Sequence, residues 1–151
     1  MSHDHKDLVR KETERILSKR FVKIGPTTWT RRKDFMKIMI MDDSVDFRFI
    51  LKEKVRKVIP DAEIFFAGDG VHGLQVLEKH KPDLVLSDLQ MPRADGDEFI
   101  ERARASGFTG PVILISGAIW ESRNKAMFTK AIPKTEVTFS REFFEELGFA
   151  I

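Results

Sequence analysis

Two adjacent aspartates, Asp42 and Asp43, end the apolar run KIMIM of residues 37–41. A third aspartate, Asp88, ends the apolar run DLVLSD of residues 83–88. Carboxylates repel one another, and removing them from water costs free energy. If the fold brings these three together, a divalent cation would offset their repulsion, and their hard oxygen ligands favour Mg²⁺.

A hydroxyl and an amine follow two further apolar runs. Ser116 lies near the end of PVILISG (111–117), and Lys134 follows a weaker run at 129–133. Both groups can donate hydrogen bonds to the oxygens of a phosphoryl group held near a cation. Lys130 is a rival for the lysine role, but Lys134 is favoured because it follows the apolar run.

Residues 36–151 alternate between short apolar runs and segments of helical periodicity. The sequence predicts strands over 37–41, 62–67, 83–88, 111–117 and 129–133, and helices over 45–59, 71–80, 97–107, around 120–127 and over 139–149. Continuous apolar strands that alternate with helices are typical of a parallel sheet covered on both faces. The predicted fold class is therefore α/β, doubly wound and flavodoxin-like, with five parallel strands in the order 2-1-3-4-5 counted from residue 36. The carboxyl ends of such strands share one edge, where all five candidate residues fall.

The composition indicates one ordinary domain with an appendage. Of the 151 residues, 42% are hydrophobic and 33% are charged, and there is no cysteine, so disulfides and Cys-ligated metal centres are excluded. No apolar run approaches the roughly 20 residues of a membrane span, and the N-terminus lacks the apolar segment of a secretory signal. We therefore expect a soluble, cytoplasmic protein without membrane contact.

Residues 1–35 form a separate basic segment in front of the predicted domain, 36–151. They carry ten Lys/Arg and five Asp/Glu, whereas the rest of the chain has an acidic excess, so nucleic-acid binding by the main domain is not indicated. A helix is predicted over 7–21, Gly25 ends it, and residues 27–35 are predicted as an extended linker. Three roles compete for this segment. It packs against the main domain or pairs with its copy in a homodimer, it is a mobile leader that binds an acidic partner, or, least favoured, it contacts nucleic acid.

The order and spacing of the candidate residues resemble a receiver domain of a two-component response regulator. The resemblance covers about residues 36–150, and it rests on the pair Asp42-Asp43, the run DLQMPRADG from Asp88 to Gly96, Ser116 in ILISGA, and Lys134 in KAIPK. An acid pair alone would be a weak signal. These motifs together, in this order and on the expected elements, are a strong one.

The resemblance implies a role for each matching residue. Asp88 would be the phosphoacceptor, whose carboxylate attacks phosphorus to form an acyl phosphate. Mg²⁺ would be held by Asp43, by Asp88 and by the backbone carbonyl of Gln90, with Asp42 as the partner of Asp43, often acting through water. Ser116 and Lys134 would contact the bound phosphoryl group. The implied partners are a histidine kinase or histidine phosphotransfer protein as donor and a downstream protein as target, with no catalysis beyond the domain's own phosphorylation and dephosphorylation.

Two departures from the family pattern concern the region before the lysine. The family lysine is usually followed by proline, but here Pro133 precedes Lys134. Three residues before the lysine, where many members carry an aromatic switch residue, this chain has Ala131, and Phe128 or Trp120 would have to substitute for it. The short interval between the candidate serine and lysine predicts a truncated or irregular fourth helix.

Three other classes of protein compete with this interpretation. A phosphatase of the haloacid dehalogenase type also uses an aspartate nucleophile, but it needs a second aspartate two residues later, where this chain has Gln90. A flavodoxin-type cofactor protein shares the topology, but no Gly/Ser/Thr-rich phosphate loop follows the first strand. The main alternative is a receiver-like interaction module that acts with little or no phosphorylation, and phosphate uptake distinguishes it from a phosphoacceptor.

Overall fold

The computed structural model of the protein describes residues 3–18, 21–31 and 36–151. The chain divides into two compact units, Met1–Phe35 and Met36–Ile151. Within the described ranges, no helix combines the length and the apolar character needed to cross a membrane.

The first unit contains a helix and a two-stranded hairpin. Helix α1 spans His3–Leu17, and strands β1 (Phe21–Lys23) and β2 (Trp29–Arg31) pair antiparallel. The predicted helix is therefore confirmed, although it begins and ends earlier than 7–21. The prediction of an extended linker over 27–35 was wrong for Trp29–Arg31, because this segment forms ladder hydrogen bonds with β1, while residues 32–35 lie outside the described part of the chain.

The second unit contains a five-stranded parallel sheet in the order β4-β3-β5-β6-β7. Its strands are β3 (Lys37–Met41), β4 (Glu63–Ala67), β5 (Leu84–Ser87), β6 (Val112–Ser116) and β7 (Lys130–Pro133). This is the predicted 2-1-3-4-5 order counted from residue 36, so the fold class is confirmed. In the register of the sheet Met41 lies opposite Ser87. The residues that follow these two, Asp42 and Asp88, therefore leave adjacent strands at the same edge.

Four helices cover the two faces of the sheet: α2 (Val45–Val58), α3 (Gly70–His80), α4 (Gly96–Ala105) and α5 (Arg141–Glu146). Alternate side chains of β3, β4, β5 and β6 enter opposite clusters, as Met39 and Ile40 of β3 do. Buried residues of α3 and α4 belong to the cluster with Met39, and those of α2 and α5 belong to the cluster with Ile40. Burial on both faces explains why the strands read as continuous apolar runs.

The connection between β6 and β7 contains two 3₁₀ turns, Ile119–Glu121 and Lys125–Met127. The predicted irregularity of this region is confirmed, but the prediction of a helix around 120–127 was wrong. The reason lies on α4, where the Asp97 carboxylate accepts hydrogen bonds from the Arg123 and Asn124 N–H groups at 2.9 and 3.3 Å. An N–H group bonded to a side chain in this way is diverted from the backbone ladder of a helix.

The last helix is shorter than the predicted 139–149. It begins after Ser140, whose hydroxyl accepts a hydrogen bond from the Phe143 N–H at 3.2 Å and so caps the helix. It ends at Glu146, two residues before Gly148, which has φ +94°. A glycine in the left-handed region is a common stop signal for a helix.

Candidate functional site

Asp42 leaves β3 as a buried carboxylate, 1% exposed, in a turn fixed by several hydrogen bonds. Its N–H donates to the Ala67 carbonyl at 3.1 Å, and its Oδ1 accepts the Ser44 N–H at 2.8 Å. Its carbonyl accepts a hydrogen bond from Arg48 Nη1 at 2.9 Å. These contacts fix the turn between β3 and α2, in which the neighbouring Asp43 remains exposed.

Asp88 leaves β5 directly beside this turn. Its N–H donates to the Met41 carbonyl at 2.8 Å, and its Oδ1 accepts the Leu89 N–H at 2.7 Å. One oxygen from each of Asp42, Asp43 and Asp88 lies within 4.8 Å of the others. These three aspartates are called the acid cluster below, and the structure brings them together at the edge where the sequence analysis placed them.

Lys134 places a cation against the acid cluster. It begins a 3₁₀ turn, Lys134–Glu136, directly after β7. Its Nζ lies 2.9 Å from Asp42 Oδ2 and 3.1 Å from Asp88 Oδ2. The same Nζ lies 4.6 Å from the centroid of the Phe47 ring.

Lys130, the rival candidate, lies at the opposite end of β7. Its Nζ is 2.8 Å from Glu146 Oε2 and 5.5 Å from the centroid of the Phe143 ring. Four residues of extended chain separate the two lysine backbones by roughly 13 Å. The structure therefore places Lys134, and not Lys130, beside the carboxylates.

The surroundings shift the proton affinities of both charged partners. Burial raises the pKa of Asp88 above its ordinary value, and the Asp42 carboxylate raises it further, against the opposing effects of Lys134 and the Leu89 N–H. Burial alone would lower the pKa of Lys134, but its close contacts with the carboxylates of Asp42 and Asp88 and their charges raise it overall. The lysine therefore keeps its positive charge at neutral pH, whereas the ionised form of Asp88 is disfavoured by its surroundings.

The acid cluster has the properties of a site for a small divalent cation. Asp42 Oδ2 is buried and receives no well-aligned hydrogen bond from the described residues, although Lys134 lies close to it. The three carboxylates exceed the single ammonium in charge. Hard carboxylate oxygens with an excess of negative charge match the preference of Mg²⁺ and Ca²⁺.

Ser116 and Gln90 lie at the same edge of the sheet as the acid cluster, Ser116 at the end of β6 and Gln90 in the loop after β5. Ser116 is the last residue of β6 and is 2% exposed, and its Oγ accepts the Ala118 N–H at 3.1 Å. Gln90 follows Asp88 by two residues, and its side-chain amide donates to Glu121 Oε2 at 2.9 Å. The candidate hydroxyl therefore ends β6, the neighbour of β5 in the sheet, and the candidate backbone ligand lies in the loop that begins at Asp88.

The loop between β5 and α4 folds closely against Asp88. The Gly96 N–H donates to the Leu89 carbonyl at 2.7 Å, and a Cβ at Gly96 would clash with the Asp88 carbonyl oxygen. Arg93 adopts a left-handed φ of +67°, and its guanidinium lies 2.6 Å from Asp69 Oδ2. Only glycine fits this close approach at position 96, which ties the DG pair of the sequence motif to the geometry of the site.

The two aromatic alternatives to Ala131 have different surroundings. Phe128 is buried in the core cluster that α3 and α4 cover, where it packs as an ordinary apolar residue. Trp120 lies on the first 3₁₀ turn and is 69% exposed. Ala131 itself is exposed on β7.

Sequence reasoning missed several side chains that contact the site. Phe47 and Arg48 follow the acid pair by four and five residues, so the predicted helix after the first strand could have pointed to them. Glu121 contacts Gln90 across 31 residues of sequence, and no local pattern predicts that pair.

A groove of about 650 Å³ lies away from the acid cluster, between the C-terminal parts of α3 and α4. Its mostly apolar lining includes Leu77, Pro82 and Phe108, with Glu78 and Arg102 among its charged residues. No member of the acid cluster lines it, so the volume of a cavity does not mark the candidate chemistry in this protein.

A family model described as the response regulator receiver domain matches residues 38–133. The Cyclic di-GMP phosphodiesterase response regulator RpfG of Xanthomonas campestris pv. campestris is 33% identical over 92 residues, which are 59% of this chain and 24% of that protein. The Sensor histidine kinase RcsC of Escherichia coli is 35% identical over 95 residues, which are 62% of this chain and 10% of that protein. The chain thus spans only a quarter or less of the length of these relatives.

A solved structure described as a response regulator receiver domain (CheY-like) from Methylobacillus flagellatus superposes with a TM-score of 0.65. The match covers 75% of this chain and 98% of that one, at 18% sequence identity. At this identity the likeness concerns the fold, and it covers nearly the whole of that chain.

Proposed function

We propose that this chain, which belongs to the response regulator receiver domain family, signals by accepting a phosphoryl group on Asp88. The observation that carries this proposal is the position of the Asp88 carboxylate, which lies within 4.8 Å of the other aspartates of the acid cluster and 3.1 Å from the Lys134 ammonium. A nucleophile, a cation site and a fixed positive charge are the parts that phosphoryl transfer requires. Membership of the family makes the second unit a phosphoacceptor signalling domain.

The reaction forms one bond and breaks one. An oxygen of the ionised Asp88 carboxylate attacks phosphorus to form a P–O bond, while the P–N bond of a phosphohistidine donor breaks and its electron pair returns to the imidazole nitrogen. Burial and then the Asp42 carboxylate raise the pKa of Asp88 and so disfavour its ionised form, while the Lys134 ammonium opposes this effect.

The remaining residues hold charge around the transferred group. Lys134 provides a donor for one phosphoryl oxygen, and the Ser116 hydroxyl provides another. Mg²⁺ would be held by Asp42, Asp43, Asp88 and the Gln90 backbone carbonyl, and it supplies neutralisation of the phosphoryl oxygens. The buried, poorly bonded Asp42 Oδ2 supports this assignment.

The donor in this proposal is a histidine kinase or a histidine phosphotransfer protein. A curated relative whose name describes a sensor histidine kinase supports this pairing. The output is a changed contact with a downstream protein or within a homodimer, in the cytoplasm. The domain's own catalysis is limited to its phosphorylation and the hydrolysis of the acyl phosphate.

Residues 1–35 are, in this proposal, an extension added to a receiver domain of residues 36–151. The separation of the chain into two compact units at Phe35 supports the boundary. The family model also begins after it, at residue 38. Packing or homodimer contact, binding of an acidic partner and nucleic-acid contact remain the three roles for the extension, and limited proteolysis between residues 22 and 35 tests whether it is mobile.

Intact mass measured after incubation with Mg²⁺ and acetyl phosphate tests the phosphoacceptor role. We expect wild type to gain one phosphoryl group, the gain to disappear with a chelator, and Asp88→Asn to gain none. Asp61→Asn is the matched control, because Asp61 is an exposed aspartate in the turn after α2, and it should gain one group as wild type does. Uptake by Asp88→Asn would contradict the assignment of the acceptor. No uptake by wild type would favour the receiver-like interaction module.

A further inference from the structure

The lysine of the site stands at the start of a short 3₁₀ turn. Lys134 opens a 3₁₀ turn of three residues, Lys134–Glu136, and the proline of this region precedes it at position 133. A lysine side chain has a flexible stem of four carbons, and fixing it in one rotamer costs about 2 kcal/mol of entropy. Contacts of the side chain must therefore determine where the ammonium stands.

Three groups contact that ammonium. Two are the carboxylates of Asp42 and Asp88, at 2.9 and 3.1 Å. The third is the ring of Phe47, whose centroid lies 4.6 Å from Nζ, the shortest cation–ring distance among the described residues. A cation over an aromatic face within about 6 Å is attracted by the ring quadrupole.

The first turn of α2 places the ring. Ser44 caps this helix, and its Oγ accepts the Phe47 N–H at 3.2 Å. The ring is half-buried and packs against the core cluster that α2 and α5 cover. The turn that carries Asp42 and Asp43 therefore also fixes Phe47, a side chain with only two torsions.

The three contacts differ in what phosphorylation does to them. In the proposed function, Asp88 carries the phosphoryl group as an acyl phosphate and Asp42 would help to hold a cation, so both carboxylates take on other ligands. The Phe47 ring takes part in neither interaction, so its contact with the ammonium does not compete with phosphorylation.

We propose that Phe47 is a positioning residue that holds the Lys134 ammonium at the acid cluster through a cation–π contact. This inference rests on the proposed function, in which the Lys134 ammonium donates a hydrogen bond to a phosphoryl oxygen. Phe47 then keeps the ammonium at the position that this oxygen reaches, and no proline after the lysine is needed for that purpose.

A double-mutant cycle tests the coupling between the two side chains. The rate of phosphorylation by acetyl phosphate is measured at fixed Mg²⁺ for wild type, Phe47→Leu, Lys134→Ala and the double variant. A cation–π contact of ordinary strength predicts a threefold to tenfold slower rate for Phe47→Leu. In the Lys134→Ala background the same change should have less than about a twofold effect, because the ring then has no ammonium to hold.

Two further variants separate positioning from folding. Phe49→Leu makes the same substitution two residues along α2, at a half-exposed ring that contacts Lys52 and Phe66, and it should leave the rate unchanged. Phe47→Tyr keeps an aromatic face and should restore the rate to within about twofold of wild type. Equal slowing by Phe47→Leu in both lysine backgrounds, or a wild-type rate for Phe47→Leu, would overturn the inference.

An NMR measurement on the protein without a phosphodonor distinguishes this inference from the proposed function. The ε-methylene protons of Lys134, assigned by their absence in Lys134→Ala, should be shifted upfield by the ring in wild type and return to their ordinary NMR position in Phe47→Leu. An unshifted resonance in wild type would refute the positioning contact even if Asp88 takes up phosphate. Failure of wild type to take up phosphate, with the resonance shifted, would refute the proposed function and leave the contact established.

Discussion

Two buried carboxylate sites in the second unit, on α4 and at the acid cluster, are alike in exposure and opposite in bonding. Asp97 on α4 is 2% exposed, and its carboxylate accepts hydrogen bonds from the Ser122 hydroxyl at 2.7 Å and from two backbone N–H groups. Asp42 is 1% exposed, yet its Oδ2 receives no well-aligned hydrogen bond from the described residues and faces two further carboxylates. Burial alone therefore does not distinguish a structural aspartate from a functional one.

The difference lies in what neutralises the charge. Both oxygens of the Asp97 carboxylate accept hydrogen bonds from protein donors, so Asp97 joins α4 to the connection after β6. The acid cluster has one lysine for three carboxylates, and the pKa of Asp88 is raised by burial and by Asp42. A buried carboxylate with too few donors is an unstable arrangement that a bound cation would relieve.

Removing the Asp97 carboxylate should give the largest loss of stability. Asp97→Ala is expected to lower the free energy of unfolding by about 3 kcal/mol, because the donors of Ser122, Arg123 and Asn124 lose a buried charged acceptor. Urea denaturation measures the loss, with Asp61→Ala as an exposed control that should stay within about 0.5 kcal/mol of wild type.

Hydrogen exchange localises the same effect. The amides of Arg123 and Asn124 should exchange faster in Asp97→Ala, while those of β3 keep their wild-type protection relative to global unfolding. A loss of stability below about 1 kcal/mol, with no local change in exchange, would show that the connection holds its shape without Asp97.

Magnesium should stabilise the acid cluster and leave the Asp97 network unaffected. At a Mg²⁺ concentration about one hundred times the Kd, wild type should gain about 2.7 kcal/mol of unfolding free energy. Asp43→Asn should lose most of this gain, since it removes an exposed member of the cluster. Asp97→Asn should keep the gain, although its baseline stability is lower. Urea denaturation with Mg²⁺ and with a chelator measures both, and equal gains in wild type and Asp43→Asn would contradict the cation site.

Asp88→Asn should change stability in the opposite direction to Asp97→Ala, by a smaller amount. The pKa of Asp88 is raised by burial and then by Asp42, so its stabilising contribution is present below the unfolded-state pKa, where the carboxyl is protonated. That contribution is lost as pH rises through the folded-state pKa. Without metal, the asparagine variant should therefore be more stable than wild type at pH 7, with a difference that shrinks on acidification. A pH-independent difference in urea denaturation would contradict this.

The sequence predicted the sheet and its chemistry because both depend on local patterns. Apolar runs such as that before Asp42 specify buried parallel strands, and parallel strands bring their carboxyl ends to one edge. The sequence alone was therefore enough to place Asp42, Asp88 and Lys134 together at the carboxyl-end edge of the sheet. The family resemblance added the role of each residue, and the match over residues 38–133 supports the family itself.

The short interval before Lys134 predicted an irregular connection between β6 and β7, but the two 3₁₀ turns that form it could not be predicted from local patterns. The residues between β6 and β7 are held by Asp97, which lies 26 positions before Arg123 in the sequence. Helical periodicity describes contacts three and four residues apart, and it contains no information on such a partner. Phe47 lies between these cases, because its helix was predictable and its contact with Lys134 was not.

Substitution of Lys130 should have the smallest effect on stability and on phosphorylation. It compares the two lysines of β7 and of the turn after it. Lys130 and Lys134 lie at opposite ends of β7, and each faces carboxylates, but the Lys130–Glu146 pair is exposed on both sides, 40% and 64%. Lys130→Ala should therefore cost no more than about 0.5 kcal/mol, and added salt should screen even this. Because Lys130 contacts no member of the acid cluster, the variant should take up phosphate from acetyl phosphate at the wild-type rate. Slower phosphorylation would show that assigning the phosphoryl-contacting role to Lys134 alone is wrong, because the exposed Lys130–Glu146 pair lies at the far end of β7 from the acid cluster.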